Sequence, residues 1–282
     1  MNDTTRIAVL IDCDNISHQW AQAILGEIAK HGTLGVKRGY GDWTDTHLKN
    51  WRPELATYAI QPVQQFAYTV GKNATDFALV IDAMDLLYSG SVDAFCIVSS
   101  DGDFTRLVMR LRESGKRVYG IGARKTPRAF QNACDQFTYV ELLVGGDASP
   151  DDDSAVAAAA KKAAKTAVKK AAPAKKAAAK AAPAKKANDL ERSSTQRASD
   201  LLLPAVEASA DEDGWAALSA VGSYLTKTNP SFDSRDHGHA KLSTLVRNLP
   251  QLEVNEVAIG NGRTTLFVRP APTSRTRKHS RS

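Results

Sequence analysis

The stretch RIAVLIDCDN at residues 6–15 decides the fold. Its first six residues form a continuous apolar run, which is typical of a strand buried on both faces of a parallel sheet. Two similar runs, AFCIVS at 94–99 and RVYGI at 117–121, predict two further buried strands. Segments 34–40 and 63–69 are weaker strand candidates.

Helical patterns lie between these strands, at residues 16–31, 76–88 and 103–114. The first ends at Gly32, a residue type suited to a helix C-cap. In the second, one apolar stripe at helical spacing is expected to face the core, and it consists of Phe77, Val80, Ile81, Met84 and Tyr88. Strands that alternate with helices of this length predict an α/β domain whose parallel sheet is sandwiched by helices.

Charge is distributed unevenly along the 282 residues, which carry a formal net charge of +6. Residues 1–153 hold 15 Lys and Arg against 20 Asp and Glu, whereas residues 154–187 hold ten Lys and no acid. That second segment is almost entirely Ala, Lys and Pro, so it cannot form a core, and it predicts a disordered basic linker. Such a segment favours a polyanionic partner, whose electrostatic contact should lie mainly on this segment.

The C-terminal part predicts a second, small domain. Three helical patterns are followed by two strand candidates around IGNGR at 259–263, whose glycines suit a hairpin turn. Three helices and a hairpin form a winged-helix pattern. We therefore expect four parts: an α/β domain at 1–147, a linker at 148–189, a winged-helix domain at 190–270 and a basic tail at 271–282.

Apolar run length, the N-terminal sequence and the cysteines indicate the cellular location of the protein and the redox state of its thiols. The longest apolar runs are far shorter than the roughly 18–20 residues that span a bilayer, and the N-terminus lacks the pattern of a secretory signal. The three cysteines are odd in number and far apart, which favours reduced thiols. We expect a cytoplasmic protein without a membrane contact, and a homodimer is a further expectation.

Acidic residues follow two of the buried strands and open one helix. Asp12 and Asp14 directly follow the first strand, Asp101 and Asp103 follow the strand at 94–99, and Asp76 begins the helix at 76–88. Carboxyl ends of parallel strands meet at one edge of the sheet, where ligands bind. Converging carboxylates favour Mg²⁺ or Mn²⁺, and such an ion can activate water against a phosphodiester. The alternative is that these acids cap turns and helices.

Several other polar residues are candidates for supporting roles. Ser99 and Ser100 could hydrogen-bond a metal-bound water or phosphate. Asp82 could orient another site group or be a solvated helix residue, and Lys72 could hold a scissile phosphate or be an ordinary surface lysine. Neither His18 nor His31 is placed to act as a general base, so the pattern favours metal-activated water.

Three segments resemble the NYN domain, a PIN-like nuclease fold that includes LabA-type proteins. They are LIDCDNIS, KNATDFALVIDAMD and VSSDGDFTRLVMRLRESGKRVYGIG, and the resemblance covers about residues 5–145. It implies RNA hydrolysis with a divalent metal at a cluster of acids. By motif, Asp12 is the first-strand acid with Asn15 as its companion, Asp76 is the acid after the Lys72 loop, and Asp101 and Asp103 are the paired acids. Some members of the family bind without cleaving.

Residues 190–269 resemble the OST-HTH (LOTUS) domain through PSFDSRDHGHAKLSTLVRNLPQLEV. That resemblance implies RNA binding, or in some members a protein contact. Candidate phosphate contacts are Arg235, His239, Lys241 and Arg247. The combined expectation is a metal-dependent endoribonuclease that recruits RNA through the linker and the second domain. The alternatives are a non-catalytic RNA- or DNA-binding regulator, a nucleoid-associated protein, or a phosphatase.

Overall fold

The computed structural model describes residues 5–65, 74–143, 184–259 and 263–271. The first part of the chain contains strands β1 to β6 and helices α1 to α5, and the second contains three helices and three strands. In chain order the elements are β1 Arg6–Asp12, α1 Ala21–Ile28, β2 Thr33–Gly41, α2 Trp51–Thr57, β3 Gln61–Gln64, α3 Ala74–Ser89, β4 Ala94–Val98, α4 Thr105–Glu113, β5 Arg117–Gly122, α5 Arg128–Ala133, β6 Gln136–Tyr139, α6 Ala184–Ser209, β7 Ala216–Ala217, α7 Leu218–Thr228, α8 Leu242–Arg247, β8 Leu252–Ile259 and β9 Arg263–Pro270.

Strands β1 to β6 form one parallel sheet in the order β3-β2-β1-β4-β5-β6. The apolar runs that predict β1, β4 and β5 are buried on both faces: residues 94–98 are all fully buried, and only the first residue of β1 is exposed. One core packs α1 and α2 on one face of the sheet, and a second packs α3, α4 and α5 on the other. The expectation of an α/β sandwich of the PIN-like kind is confirmed.

The order of the strands creates a topological switch point between β1 and β4. From β1 the chain moves outward through β2 to β3, and it then returns to the other side of β1 to build β4, β5 and β6. Ile11 pairs with Val98, so the residues that follow, Asp12 and Ser99, emerge side by side. Ligands of open parallel sheets bind at the carboxyl ends of the strands at such a point.

The helix predicted at 16–31 is shorter in the structure. A single 3-10 turn, His18–Trp20, precedes α1, which ends at Ile28, and Gly32 is not its cap. A Cβ at Gly32 would meet the backbone oxygen of Thr5 at 2.2 Å. This glycine therefore allows close approach of two backbone segments at the start of β2. The predicted strand at 63–69 is also displaced, because β3 ends at Gln64, and residues 66–69 lie outside the described residues.

The core-facing stripe predicted for α3 is wrong. Phe77, Ile81 and Tyr88 are 68%, 59% and 73% exposed. Val80 and Met84 are only partly buried. The residues that α3 buries lie on the neighbouring stripe, and they are Leu79, Ala83, Leu86 and Leu87. Because α3 has apolar residues on both of these adjacent stripes, hydrophobic periodicity alone predicts the wrong buried face.

The second part of the chain confirms the winged-helix pattern. Helices α6, α7 and α8 pack on a three-stranded antiparallel sheet in the order β7-β9-β8, around a separate core that includes Leu202, Val221 and Val246. Helix α6 begins at Ala184, inside the segment predicted as linker, and contains Pro204 in its interior. Residues 144–183, with most of the basic Ala/Lys/Pro segment, and the hairpin turn at 260–262 lie outside the described residues.

The two parts of the chain contact each other directly. The backbone N–H of Phe137 in β6 donates to the carbonyl oxygen of Pro230 at 2.8 Å. Arg235 forms an ion pair with Glu27 at 3.1 Å, and Arg124 forms one with Asp236 at 2.6 Å. Since β6 is the last strand of the sheet, the second domain covers part of an edge that would otherwise offer an unpaired N–H.

Candidate active site at the switch point

Asp12 is the buried centre of the site. It is the last residue of β1 and is 1% exposed. Its Oδ2 accepts two hydrogen bonds of 2.7 Å, one from the Ser99 hydroxyl and one from the Asn15 side-chain amide. Its Oδ1 is buried and has no hydrogen-bond partner among the described residues. A buried carboxylate oxygen without a donor is unfavourable, and a cation would satisfy it.

The electrostatics of Asp12 also favour a cation. The pKa of Asp12 is raised to about 6, mainly by burial and to a lesser extent by the carboxylates of Asp76 and Asp14, while the hydrogen bonds from Ser99 and Asn15 act in the opposite direction. Asp76, in the first turn of α3, therefore lies close enough to Asp12 for their charges to interact. The prediction that the strand-end acid and the helix acid converge agrees with this arrangement.

Asp14, one of the acids predicted at this edge of the sheet, lies beside His47, which the sequence reasoning did not assign to the site. The Nε2 of His47 lies 3.4 Å from Asp14 Oδ1, and its Nδ1 lies 3.0 Å from Asp45 Oδ1. Burial raises the pKa of Asp14, although the Thr75 side chain and His47 oppose that rise. A Cβ at Gly41 would meet the Leu48 side chain at 2.5 Å, so the glycine allows the segment bearing His47 to approach. The position of this segment after β2 was the only signal in the sequence.

The loop after β4 connects its acids to Asp12 through Ser99. The backbone N–H of Asp101 donates to Ser99 Oγ at 3.0 Å, and that hydroxyl donates in turn to Asp12. Asp101 Oδ1 accepts from the backbone N–H of Asp103 at 3.0 Å, so it caps the 3-10 turn Gly102–Phe104. The side chain of Asp103 is exposed. Ser100 Oγ accepts from the backbone N–H of Ala123 at 2.8 Å and thereby joins this loop to the end of β5.

Asp82, a predicted supporting residue, contacts two side chains of β2. Its Oδ2 accepts from the Tyr40 hydroxyl at 2.8 Å and pairs with Arg38 at 2.9 Å. These contacts connect α3 to β2. Burial raises the pKa of Tyr40 and Asp82 adds to that rise, whereas Arg38 opposes it. The carboxylate therefore links α3 to the sheet, and its supporting role in the site stays a prediction.

The predicted phosphate contacts of the second domain fall into two groups. Arg235 is paired with Asp233 and with Glu27 of the first domain, and Arg247 is paired with Glu256. Both guanidinium groups pair with carboxylates in this structure, and the phosphate contacts assigned to them from the sequence stay predictions. Lys241 precedes α8 and is exposed, and His239 is half-buried near Asn248. Lys72 lies outside the described residues.

The donor chemistry of the site fits a hard divalent cation. The available ligands are carboxylate oxygens, which Mg²⁺ and Mn²⁺ prefer. Within the described ranges, which omit 66–73 and 144–183, no three His, Cys, Asp or Glu side chains are already arranged as a complete metal site. The unpaired Oδ1 of Asp12 and the raised pKa of its carboxyl are the observations that support binding of a divalent cation at this site.

Comparison with known proteins identifies both domains. The α/β sheet with acids at its switch point defines a PIN-like domain. Residues 6–142 match the NYN domain family, and residues 192–264 match the OST-HTH/LOTUS domain family. The chain thus contains an NYN domain followed by an OST-HTH/LOTUS domain. It combines a nuclease-type domain with a domain of RNA-binding type.

Individual relatives add little about activity. The uncharacterized protein MJ0482 of Methanocaldococcus jannaschii is 27% identical over 135 residues, which is 46% of this chain and 53% of that protein. The chain therefore spans about half the length of this curated relative. A protein of unknown function from Vibrio parahaemolyticus is 19% identical, with a TM-score of 0.43 over 49% of this chain and 94% of its own. Residues 175–257 of a Chromobacterium violaceum protein are 40% identical, with a TM-score of 0.24 over 30% of this chain and 91% of that structure.

Proposed function

We propose that this protein is a metal-dependent endoribonuclease whose centre is Asp12. The observation that carries the proposal is the buried, unpaired Oδ1 of Asp12 at the topological switch point of an NYN-domain sheet. We assign Asp12 and Asp76 as ligands of Mg²⁺ or Mn²⁺, with Asp101 and Asp103 on the adjacent loop as further acidic site residues. When bound, the ion would polarise the phosphodiester and lower the pKa of an attacking water.

The residues around Asp12 position its carboxylate. Ser99 and Asn15 both donate to Oδ2, which holds the carboxylate in one orientation and leaves Oδ1 available to a ligand. The Asp101 backbone N–H occupies the acceptor side of Ser99 Oγ, so the Ser99 proton is directed at Asp12. Ser100 fixes the loop to β5. Hydrogen bonds from these described residues thus orient the Asp12 carboxylate, and the carboxylates supply the negative charge that a cation would bind.

RNA is the proposed substrate because the second domain belongs to a family of RNA-binding type. Binding of DNA by the basic segment 154–187, a homodimeric state and a cytoplasmic location stay predictions from the sequence. No helix in the described part of the chain is long and apolar enough to cross a membrane.

The experiment that tests this proposal uses the purified full chain and an Asp12→Asn variant. Labelled single- and double-stranded RNA and DNA are incubated with Mg²⁺, Mn²⁺ or a chelator. We expect metal-dependent internal cleavage of RNA by the wild type and its loss in Asp12→Asn. Asp85→Asn, at an exposed position of α3, is the matched control and should cleave normally. Unchanged cleavage by Asp12→Asn would contradict the proposal.

A second candidate is a regulator that binds RNA without cleaving it. The specific observation in its favour is that no three-ligand metal site is already assembled among the described residues. The same gel separates the two candidates. Binding that resists chelator, together with intact RNA under every metal condition, would favour the regulator.

A further inference from the structure

A second cleft lies away from the acidic site, where the two domains meet. It has a volume of about 720 Å³ and is lined by the start of β5, the segment around Asp135 and one face of α7. This volume is within the roughly 300–1,000 Å³ of typical ligand sites. Because each domain supplies part of the wall, the complete cleft exists only when the second domain is docked.

The cleft carries an excess of positive charge. Arg112, Arg117 and Lys227 line it, and Asp135 is the acidic residue among its lining side chains. Asp135 is already engaged, because it pairs with Arg112 at 3.0 Å and accepts from the backbone N–H of Val118 at 2.8 Å. Arg117 and Lys227, one from each domain, are exposed. Their charges therefore favour an anionic ligand.

Hydroxyl groups from α7 form the opposite wall. Ser219, Ser223 and Thr226 line the cleft and follow one another at helical spacing. They extend over about 10 Å of helix, which suits a chain of polar groups better than a single small anion. The Thr226 hydroxyl donates to the Gly222 carbonyl at 3.0 Å. Its oxygen therefore remains an acceptor, which matches the hydrogen-bond donor that a ribose 2′-hydroxyl provides.

Contacts between the two domains fix the two sides of the cleft relative to each other. The Phe137–Pro230 hydrogen bond lies beside the cleft, because Pro230 is one of its lining residues. The bidentate pair of Arg235 with the buried Glu27 adds a second attachment, with distances of 3.1 and 3.3 Å. Bidentate Arg–carboxylate pairs combine strength with fixed geometry. The orientation of α7 toward Arg117 is therefore specified by the chain itself.

We propose that this interdomain cleft binds the phosphodiester backbone of a single RNA strand. Arg117 and Lys227 contact phosphates from opposite sides, and the hydroxyls of α7 contact phosphate oxygens and ribose. Arg117 aligns with Ala94 and thereby with Ile7, five residues before Asp12 on β1. The cleft and Asp12 are thus separated by roughly 17 Å along the strands. The inference rests on RNA as the ligand of the proposed function, but it does not depend on cleavage.

The test measures RNA binding by the full chain in the presence of a chelator. A fluorescently labelled, unstructured RNA of about 20 nucleotides is titrated at several salt concentrations. We expect Arg117→Ala and Lys227→Ala each to weaken binding by about two- to fivefold. Each should also reduce the slope of log affinity against log salt by about 0.7. Arg110→Ala, an exposed arginine on the same helix as Arg112, is the matched control and should change neither quantity.

The outcomes separate this proposal from the proposed nuclease activity. Weaker binding in the two cleft variants supports the cleft even if the wild type cleaves nothing. Unchanged affinity and salt slope in both variants would overturn it, even if Asp12→Asn abolishes cleavage. Equal displacement of the RNA by a poly-glutamate peptide would overturn the choice of RNA in favour of an acidic protein. Equal affinity for DNA of the same sequence would overturn the role assigned to Thr226.

Discussion

Replacing Asp12 with asparagine should stabilise the protein at pH 8 in the absence of metal. The pKa of Asp12 is raised to about 6, mainly by burial, from an ordinary value of 3.8. The folded state therefore binds this proton more tightly than the unfolded state does. The stability associated with the protonated form is fully present below about pH 4 and is lost as pH rises through about 6. At pH 8 the wild type must hold a buried negative charge, which the substituted amide side chain lacks.

The magnitude follows from the pKa. One pKa unit corresponds to about 1.4 kcal/mol, so ionised Asp12 should destabilise the folded protein by about 3 kcal/mol at pH 8. The amide oxygen of the variant can still accept from Ser99 and Asn15, but its NH₂ group takes the place of the unpaired Oδ1. Because an unsatisfied buried amide costs about 1–3 kcal/mol, we expect a net stabilisation of about 0–2 kcal/mol.

The assay is urea denaturation of wild type and Asp12→Asn at pH 5 and pH 8, with chelator and with Mg²⁺ or Mn²⁺. The advantage of the variant should be larger at pH 8 than at pH 5. Added metal should stabilise the wild type but not the variant, because a cation bound to Asp12 offsets the buried charge. Asp85→Asn should show neither effect. A variant that is less stable than the wild type at pH 8 in chelator would refute the reasoning.

Further substitutions test other parts of the structure. Ser99→Ala removes the hydrogen bond that lowers the pKa of Asp12, so the pH midpoint of metal binding should move upward; a constant midpoint in a metal titration would contradict this. Gly122→Ala places a Cβ at 2.5 Å from the Ser99 backbone oxygen, so cleavage and metal binding should both decrease, and a fully active variant would exclude the contact. Phe77→Ala should change the free energy of unfolding by less than about 0.5 kcal/mol, whereas Leu79→Ala should lower it by about 2–4 kcal/mol. If urea denaturation gave the reverse order, the stripe that contains Phe77 would face the core, as the sequence predicts.

The sheet and its acidic edge were predictable because their signals are local. The apolar runs of β1, β4 and β5 identify buried strands, and parallel pairing places the residues after β1 and β4 together. The proximity of Asp12 and Ser99 follows from that pairing. The PIN-like fold and the winged helix are both confirmed in the structure.

Other features depend on contacts that no local pattern specifies. Helix α3 has apolar residues on two adjacent stripes, and only packing against the sheet decides that Leu79 rather than Phe77 is buried. His47 reaches Asp14 through the path of the chain after β2, where hydrophobic periodicity is absent. Arg235 resembles a surface cation in the sequence, but its partner Glu27 lies 208 residues away. Long-range ion pairs of this kind cannot be read from spacing.

The hydrogen bond between Phe137 and Pro230 has a consequence for how the NYN domain behaves alone. A chain shortened after residue 143 would lose Pro230, so the outer edge of β6 would be uncovered. Uncovered strand edges recruit strands from other molecules, so the shortened protein should self-associate more readily than the full chain. By covering the β6 edge, the OST-HTH/LOTUS domain would prevent strand pairing between molecules, in addition to any contact it makes with RNA.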